Sequence, residues 1–314
     1  MSHHPSTLTV QMAESLLHKA YPSASVAQVV ERTGGHLSTV YEVRCTEPTL
    51  RLIIKIYSDQ WVWKQEKEVH VYQVLAGNSV SRVPAILYSE SAGGPDNQAF
   101  TLMTLLDGQP LSEVSAGLDA AAIRQIYRQM GELLASVHRI RQDAYGYMVT
   151  GIVDPAPTNA VYMARQFAKK LNEFADLGGD PELHRAVEAR VAEQAGLFHR
   201  CPAPVLCHND FHEGNILVTR VQGDWTVTGF IDVENAIAAD PLLDLAKTES
   251  YSMRGDETKR NALFDGYGAL PEDWRERLAV YQLYHALELW DWFASIGNRS
   301  PLEGIAGDMR RLVR

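Results

Sequence analysis

The spacing of apolar residues divides this chain into two regions of different character. In the first hundred residues, short runs rich in β-branched and aromatic side chains alternate with turn residues and predict strands. The predicted strands span residues 26–32, 39–45, 50–57, 83–89 and 100–105. Apolar residues at helical spacing predict helices over residues 9–20 and 61–75. We therefore expect a small antiparallel β-sheet with one or two helices.

After Asp107-Gly108 the helical period dominates. The predicted helices span residues 119–141, 159–175, 181–199, 242–253, 257–267 and 272–296. The main strand-like interruption lies between residues 208 and 232. A β-rich region followed by a helical one predicts an α+β fold with two lobes. We expect an N-lobe over residues 1–106, a C-lobe over residues 107–314, and a hinge near Thr104 to Gly108.

Composition narrows the classes of function. With 314 residues, of which 46% are hydrophobic, the chain can bury a sizeable core. Its net charge of −10 argues against a nucleic-acid-binding protein and permits a cationic small-molecule substrate. Residues 1–106 carry 8 basic and 9 acidic residues, so 21 basic and 30 acidic residues fall in the rest. The extra acidic residues either lie on ordinary solvated helix faces or line a cleft that attracts a cation.

The three cysteines form no Cys-x-x-Cys pair, which fits a reducing compartment. The first residues lack the pattern of a signal peptide, and no apolar stretch approaches the roughly 18 residues that span a bilayer. We expect a cytoplasmic protein without a membrane partner, acting as a monomer or weak dimer.

The segment from His208 to Asp232 carries the candidate chemistry. Asp210 and Asn215 are five residues apart around Gly214, and Asp232 ends a second apolar run. Carboxylate and amide oxygens are ligands that Mg²⁺ accepts, and a further carboxylate can take the proton of an acceptor hydroxyl. Each residue alone is also common in turns. The joint spacing favours metal-assisted phosphoryl transfer, with Asp210 as base and Asn215 and Asp232 as Mg²⁺ ligands.

A zinc site is the competing interpretation of the same segment. His208 and His212 are four residues apart and are followed by Glu213. The helical zinc motif, however, places glutamate directly after the first histidine, where this chain has Asn209. Gly214 and the apolar flanks also indicate a loop and strand, so His208 is better interpreted as a structural residue.

A lysine stands within the apolar strand at residues 50–57. Lys55 is costly to bury there unless it is paired, although a lysine on an edge strand could reach solvent. If buried, it suits binding to nucleotide phosphates beside a glutamate. Glu68 shares the inward helical stripe with Val71 and Leu75, whereas Glu66 is turned away.

Gly34-Gly35 lies between two predicted strands and could let backbone amides approach phosphates, although it also suits an ordinary hairpin turn. The chain contains neither the Walker-type phosphate loop nor the Gly-x-Gly-x-x-Gly motif of dinucleotide-binding folds.

Together these segments resemble the aminoglycoside phosphotransferase/choline kinase family, whose fold is protein-kinase-like. His208-Asn209-Asp210 followed by Asn215-Ile216-Leu217 matches the family's catalytic loop, with Asn209 where many antibiotic kinases have glycine. The segments 100–108, 134–138 and 240–245 match the hinge, a helix end and a C-lobe segment.

The resemblance implies roles for individual residues. Asp210 would be the catalytic base, Asn215 and Asp232 would bind Mg²⁺, and Lys55 paired with Glu68 would bind the phosphates of ATP or GTP. The residues expected to cover the phosphates or surround the purine are Gly34, Gly35, Ser38, Met103, Thr104, Leu105 and Leu106.

The acceptor is expected to meet residues of the helical lobe. The candidates for binding ammonium groups are Glu234, Glu249, Glu288 and Asp291. Trp290 could stack on a sugar or a quaternary amine, or belong to the core. We expect a small-molecule kinase that phosphorylates a hydroxyl of an amine-bearing acceptor, with an aminoglycoside-type antibiotic as first candidate. The alternatives are a metabolite kinase acting on choline, ethanolamine, an amino alcohol or a sugar, and a catalytically silent nucleotide-binding scaffold.

Overall fold

The structure is a computed structural model that describes residues 8–32 and 38–314. Its contacts divide the chain into two units. The first unit contains residues up to Gln109 together with Val149–Gly151 and Thr228–Glu234, and the second contains the remainder. A β-sheet in the first unit and a mainly helical second unit confirm the predicted α+β class.

The sheet of the first unit is antiparallel. Its strands are β1 (Ser25–Arg32), β2 (Ser38–Glu47), β3 (Leu50–Tyr57), β4 (Ile86–Glu90) and β5 (Ala99–Thr104). Among the described residues their order is β1-β2-β3-β5-β4. The strand β4 begins three residues later than predicted, because Pro84 has no N–H to donate to a neighbouring strand.

Two helices accompany this sheet, α1 (Val10–Leu17) and α2 (Val62–Gly77). The side chain of Thr9 caps α1, and the buried face of that helix contains Ala13, Leu16 and Leu17. Helix α2 buries the predicted stripe that begins at Glu68 and continues through Val71 to Leu75. Burial of this stripe brings a carboxylate into the interior of the unit.

The remaining strands form two small sheets, most of whose residues belong to the second unit. The strands are β6 (Gln109–Pro110), β7 (Tyr145–Met148), β8 (Ile152–Ala156), β9 (Val205–Cys207), β10 (Ile216–Val221), β11 (Asp224–Phe230) and β12 (Ile237–Ala239). The described sheet orders are β8-β7-β12-β9 and β11-β10-β6. Strand β9 ends at Cys207 and β10 begins at Ile216, so residues 208–215 form the loop between them.

Helices form the rest of the second unit. They are α3 (Leu111–Val114), α4 (Ala120–His138), α5 (Asn159–Asp176), α6 (Pro181–Gln194), α7 (Pro241–Thr248), α8 (Glu257–Tyr267), α9 (Trp274–Ser295) and α10 (Leu302–Leu312). Helices α4 and α8 approach closely at two glycines: a Cβ on Gly131 would lie 2.0 Å from Leu263 O, and one on Gly266 would lie 1.9 Å from Arg128 O. Within the described residues, every helix is too short or too polar to cross a bilayer.

The structure differs from the sequence expectation in three ways. The predicted helix over 242–253 ends at Thr248 and continues as a π-helical turn, Glu249–Met253, which closes with Arg254 in the left-handed region. The strands β6, β7, β8, β9 and β12 and the helices α3 and α10 were not predicted. The strands, at two to five residues, are too short to show a period of two. The segments 149–151 and 228–234 group with the first unit rather than with the predicted C-lobe. A single boundary between residues 106 and 107 cannot describe units that each contain separate segments of the chain.

Candidate active site

The loop between β9 and β10 presents Asp210. Asn209 has a φ of 58°, in the left-handed region that asparagine and glycine tolerate. This explains why residues of these two types suit position 209. The carboxylate of Asp244 accepts hydrogen bonds from the backbone N–H groups of His208 (2.6 Å) and Asn209 (3.0 Å). Helix α7 therefore fixes the backbone directly before Asp210.

The carboxylate of Asp210 has four polar neighbours. His212 Nε2 lies 3.6 Å and Lys247 Nζ 3.9 Å from Oδ1. The side-chain amides of Asn215 and Asn235 lie 3.3 and 3.5 Å from Oδ2. Burial raises the pKa of Asp210, but the nearby His212 and the charge of Lys247 outweigh burial and lower it to about 2. Asp210 is therefore a carboxylate at neutral pH, as a proton acceptor must be.

Asn215 lies in the same loop as Asp210. Its Nδ2 atom donates to the backbone oxygen of Asp210 at 2.9 Å, so the amide nitrogen faces the loop. The amide oxygen of Asn215 and the carboxylate of Asp232 are hard donors of the kind that Mg²⁺ selects. The donor chemistry at these two positions fits the expected ion.

The two histidines of the loop accept hydrogen bonds from backbone N–H groups of the same loop. The N–H of Asp210 donates to His208 Nδ1 (3.2 Å), and the N–H of Gly214 donates to His212 Nδ1 (3.0 Å). Glu213 forms an ion pair with Lys259 at 2.8 Å. These contacts disfavour the zinc alternative. Within the described part of the chain, His138, Cys207 and Asp244 are the histidine, cysteine and acidic residues that cluster in a group of three or more, and neither loop histidine belongs to that group.

Lys55 and Glu68 form a buried ion pair in the first unit. Lys55 Nζ lies 2.8 Å from Glu68 Oε2, and the hydroxyl of Tyr57 donates to the same carboxylate. Burial lowers the pKa of Lys55, but the charges of Glu68 and Asp232 outweigh burial and raise it. The lysine is paired inside the unit, so it does not extend to solvent as an edge-strand lysine would.

Asp232 follows β11 in the same unit, with a φ of 65°. Its backbone N–H donates to the hydroxyl of Tyr72 on α2 (3.2 Å). Two residues later, Glu234 forms an ion pair with Lys64 of α2 at 3.6 Å. The structure thus groups Glu234 with the nucleotide-binding candidates of the first unit.

The hinge and turn candidates are only partly described. Met103 is buried near the end of β5, and the N–H of Thr104 donates to Ala85 O (3.0 Å). Leu105 and Leu106 follow the strand and are half-buried. Ser38 pairs with Tyr57 at the start of β2. Gly34 and Gly35 lie outside the described residues.

The acceptor candidates of the second unit occupy different surroundings. Glu288 contacts Lys247 (3.1 Å) and His285 (3.2 Å), so it belongs to the surroundings of Asp210. Asp291 lies one helical turn further along α9, 3.8 Å from Lys170. Burial raises the pKa of Asp291 to about 7 against the opposing charge of Lys170.

The remaining two acceptor candidates have structural partners. Glu249 is buried and paired with Arg260, whose Nε lies 3.0 Å from the carboxylate. Trp290 is 6% exposed and packs on Phe174 with ring centroids 4.4 Å apart, which fits the core alternative.

Sequence reasoning did not single out Lys247 or Asn235. Lys247 is buried, and burial lowers its pKa while the charges of Glu288 and Asp210 raise it above the ordinary value. A sequence signal existed, because Lys247 follows the apolar pair Leu245-Ala246 in a segment where Asp244 is the other charged residue, much as Lys55 stands within an apolar strand. Asn235 has no comparable signal.

Comparison with protein families gives a match over most of this chain. Residues 28–280 match the model of the phosphotransferase enzyme family. No curated protein matches the chain.

Solved structures of aminoglycoside phosphotransferases resemble the whole chain. The structure of aminoglycoside phosphotransferase APH(4)-Ia is 16% identical with a TM-score of 0.71, and the match covers 98% of this chain and 99% of that one. A thermostable mutant of that protein, in ternary complex with ADP and hygromycin B, has the same identity and TM-score, with 98% of each chain covered. The GDP complex of aminoglycoside 2'-phosphotransferase-IIIa is 13% identical with a TM-score of 0.66, covering 97% of this chain and 98% of that one. At these identities the likeness establishes the fold, which is protein-kinase-like.

Proposed function

Because this chain belongs to the phosphotransferase enzyme family, we propose that it transfers the γ-phosphate of ATP or GTP to a hydroxyl of a small amine-bearing molecule. The surroundings of Asp210 are the observation that carries this proposal. Its carboxylate is held ionised beside a buried lysine, in a loop whose backbone is fixed by Asp244. A fixed carboxylate of this kind can accept the proton of an attacking hydroxyl.

The first unit would hold the nucleotide. Lys55, oriented by Glu68, would bind phosphate oxygens, and the residues from Met103 to Leu106 would surround the purine. Ser38 and the Gly34-Gly35 segment would cover the phosphates. Similar structures were solved with ADP and with GDP, which supports a purine nucleotide and leaves both as co-substrates to test.

Asn215 and Asp232 would hold Mg²⁺ through their side-chain oxygens. When bound, the ion would neutralise charge on the nucleotide phosphates. Asp210 would then take the proton from the acceptor hydroxyl as the acceptor oxygen attacks the γ-phosphorus. The bond from the γ-phosphorus to its bridging oxygen breaks, and the nucleoside diphosphate leaves.

Aminoglycoside-type antibiotics are the first acceptor class to test. Their ammonium groups suit the excess of acidic residues in the second unit, and a similar structure contains hygromycin B. One observation favours the smaller amino alcohols instead. Glu288 and Asp291 are already paired with Lys247 and Lys170, which leaves less negative charge for a polycation. The protein would act in the cytoplasm, where these nucleotides are available.

The test is a nucleoside diphosphate release assay with Mg-ATP and Mg-GTP over a panel of aminoglycosides, choline, ethanolamine, amino alcohols and sugars. We expect turnover of at least one acceptor, and at least a hundredfold loss of kcat in Asp210→Asn. Asp119→Asn is the control, because that carboxylate only caps α4, accepting from Ala122 N at 2.8 Å. Nucleotide binding without turnover of any acceptor would favour the scaffold, and absence of nucleotide binding would refute both enzyme functions.

A further inference from the structure

Lys247 occupies an unusual place for a lysine. Its side chain is 8% exposed, and its ammonium lies between the carboxylate of Glu288 (3.1 Å) and that of Asp210 (3.9 Å). The ring of Tyr251 lies 5.6 Å from Nζ. The side chains of Asp210 and Glu288 are more exposed, at 19% and 27%. A ligand can therefore approach the Lys247 ammonium from the side on which these two carboxylates meet solvent.

The hydrogen bonds of this ammonium are incomplete. A lysine ammonium has three donors, and among the described residues Lys247 uses one of them, toward Glu288. The distance of 3.9 Å to Asp210 is too long for a direct hydrogen bond. A single oxygen atom can lie roughly 2.8 Å from both atoms, which is ordinary hydrogen-bond distance. The pair is therefore spaced to share one hydroxyl.

We propose that Lys247 is a catalytic residue that binds the acceptor hydroxyl jointly with Asp210; this inference rests on the proposed function. The hydroxyl donates its hydrogen to Asp210 Oδ1 and accepts one from Lys247 Nζ. As the O–H bond breaks and the O–P bond forms, the proton moves to Asp210. The ammonium of Lys247 stabilises the negative charge that collects on the oxygens around the phosphorus. Glu288 orients Lys247 and compensates its charge in the buried site.

A second lysine shows what a purely structural role looks like in the same unit. Lys259 is also largely buried, pairs with Glu213 (2.8 Å) and lies 5.3 Å from the ring of Tyr127. It donates a second hydrogen bond to the backbone oxygen of Ser252 (3.2 Å). Among the described residues it thus uses two of its three donors, so it leaves less donor capacity for a ligand than Lys247 does.

The experiment compares Lys247→Met with the matched control Lys259→Met. For each variant, kcat and KM for nucleotide and acceptor are measured, together with slow nucleotide hydrolysis, in which water replaces the acceptor hydroxyl. Thermal unfolding reports the loss of each buried ion pair. We expect Lys247→Met to lose about a hundredfold or more in kcat and in hydrolysis, with the KM for nucleotide within about twofold. Lys259→Met should lose comparable stability and keep kcat within about threefold, because Glu213 still accepts hydrogen bonds from Tyr127 (2.6 Å) and Ser115 (3.0 Å).

Three results would overturn the proposal. Lys247→Met could retain kcat within a few-fold of the unaltered enzyme. It could also lose activity only in proportion to its folded fraction, as expected of the control. Finally, if the unaltered protein neither transfers phosphate nor hydrolyses nucleotide, the proposed function fails and this inference fails with it. Normal turnover by both the unaltered protein and Lys247→Met would overturn this inference alone.

Discussion

Replacing Asp244 by asparagine should lower activity by displacing the loop that carries Asp210, while Asp210 itself is unchanged. Asp244 is fully buried and accepts hydrogen bonds from the backbone of His208 and Asn209 and from His138 Nε2 (3.2 Å). Burial raises its pKa, but the hydrogen bond and charge of His138 outweigh burial and lower it. The carboxylate is therefore ionised, and its hydrogen bonds are charge-assisted.

The magnitude follows from these three bonds. An asparagine keeps one acceptor oxygen and turns an NH₂ group toward donors, so at least one charge-assisted bond is lost and the others weaken. At about 1.5–3 kcal/mol for each such bond, we expect a loss of about 3 kcal/mol in the free energy of unfolding. For a chain of 314 residues, that corresponds to a fall of roughly 4–5 °C in Tm. Displacement of Asp210 by about 1 Å would lower kcat about a hundredfold.

The matched control is Asp240→Asn. Asp240 is equally buried and precedes the same helix, but its carboxylate accepts from Arg277 and from the hydroxyl of Tyr281 (2.6 Å). Urea or thermal unfolding should show comparable losses for both variants, while phosphotransfer assays should show the large loss of kcat only for Asp244→Asn. Equal kcat in the two variants, or a stability loss below about 1 kcal/mol for Asp244→Asn, would refute the reasoning.

Three further predictions concern other parts of the molecule. Glu42→Gln removes a buried carboxylate that accepts hydrogen bonds from three arginines, one each on β1, β2 and β3. We expect the free energy of unfolding, measured in urea, to fall by about 2 kcal/mol. The KM for nucleotide should rise while the KM for acceptor stays unchanged. Gly266→Ala places a Cβ 1.9 Å from a backbone oxygen of α4 and should cost about 3 kcal/mol or more, whereas Gly304→Ala, with nothing within 4 Å, should be neutral or stabilising in thermal unfolding. Because the pKa values of Glu42 and Asp210 are lowered to about 2, their stabilisation is complete above about pH 4.5 and is lost as the pH falls to about 2. Unfolding measured from pH 7 to 2 should show this decline, and it should be shallower in Glu42→Gln.

Much of the first unit could be predicted from the sequence because its elements are long enough to show a period. The pairing of Lys55 with Glu68 illustrates this, since a stripe at helical spacing can select the inward carboxylate before any coordinates exist. The assignment of Thr228–Glu234 to the first unit could not be predicted. It depends on the course of β11, whose first residues group with one unit and whose last residues group with the other.

The contacts of the second unit were less predictable, because hydrogen bonds between distant segments leave no periodic trace. The bonds between Asp244 and the loop join residues about 35 positions apart. The structure also shows that Glu249 and Trp290, which composition alone made candidates for substrate binding, have partners inside the protein. A buried charge that already has a counter-ion has less to offer a ligand.

Helix α7 and the π-helical turn that follows connect these observations, because their polar residues meet the catalytic loop in order. Asp244 binds the backbone of residues 208 and 209, Lys247 approaches Asp210, and Thr248 donates to Phe211 O at 2.7 Å. The ring of Tyr251 lies 6.3 Å from that of His212. Asp244, Lys247 and Thr248 occur at helical positions i, i+3 and i+4 of α7, whose other residues are apolar, and Tyr251 follows in the π-helical turn. Buried polar residues would be costly to keep for packing alone, and these four approach successive residues of the loop. Helix α7 therefore positions the loop through Asp244 and Thr248, and it brings Lys247, which we assign to the reaction, close to Asp210.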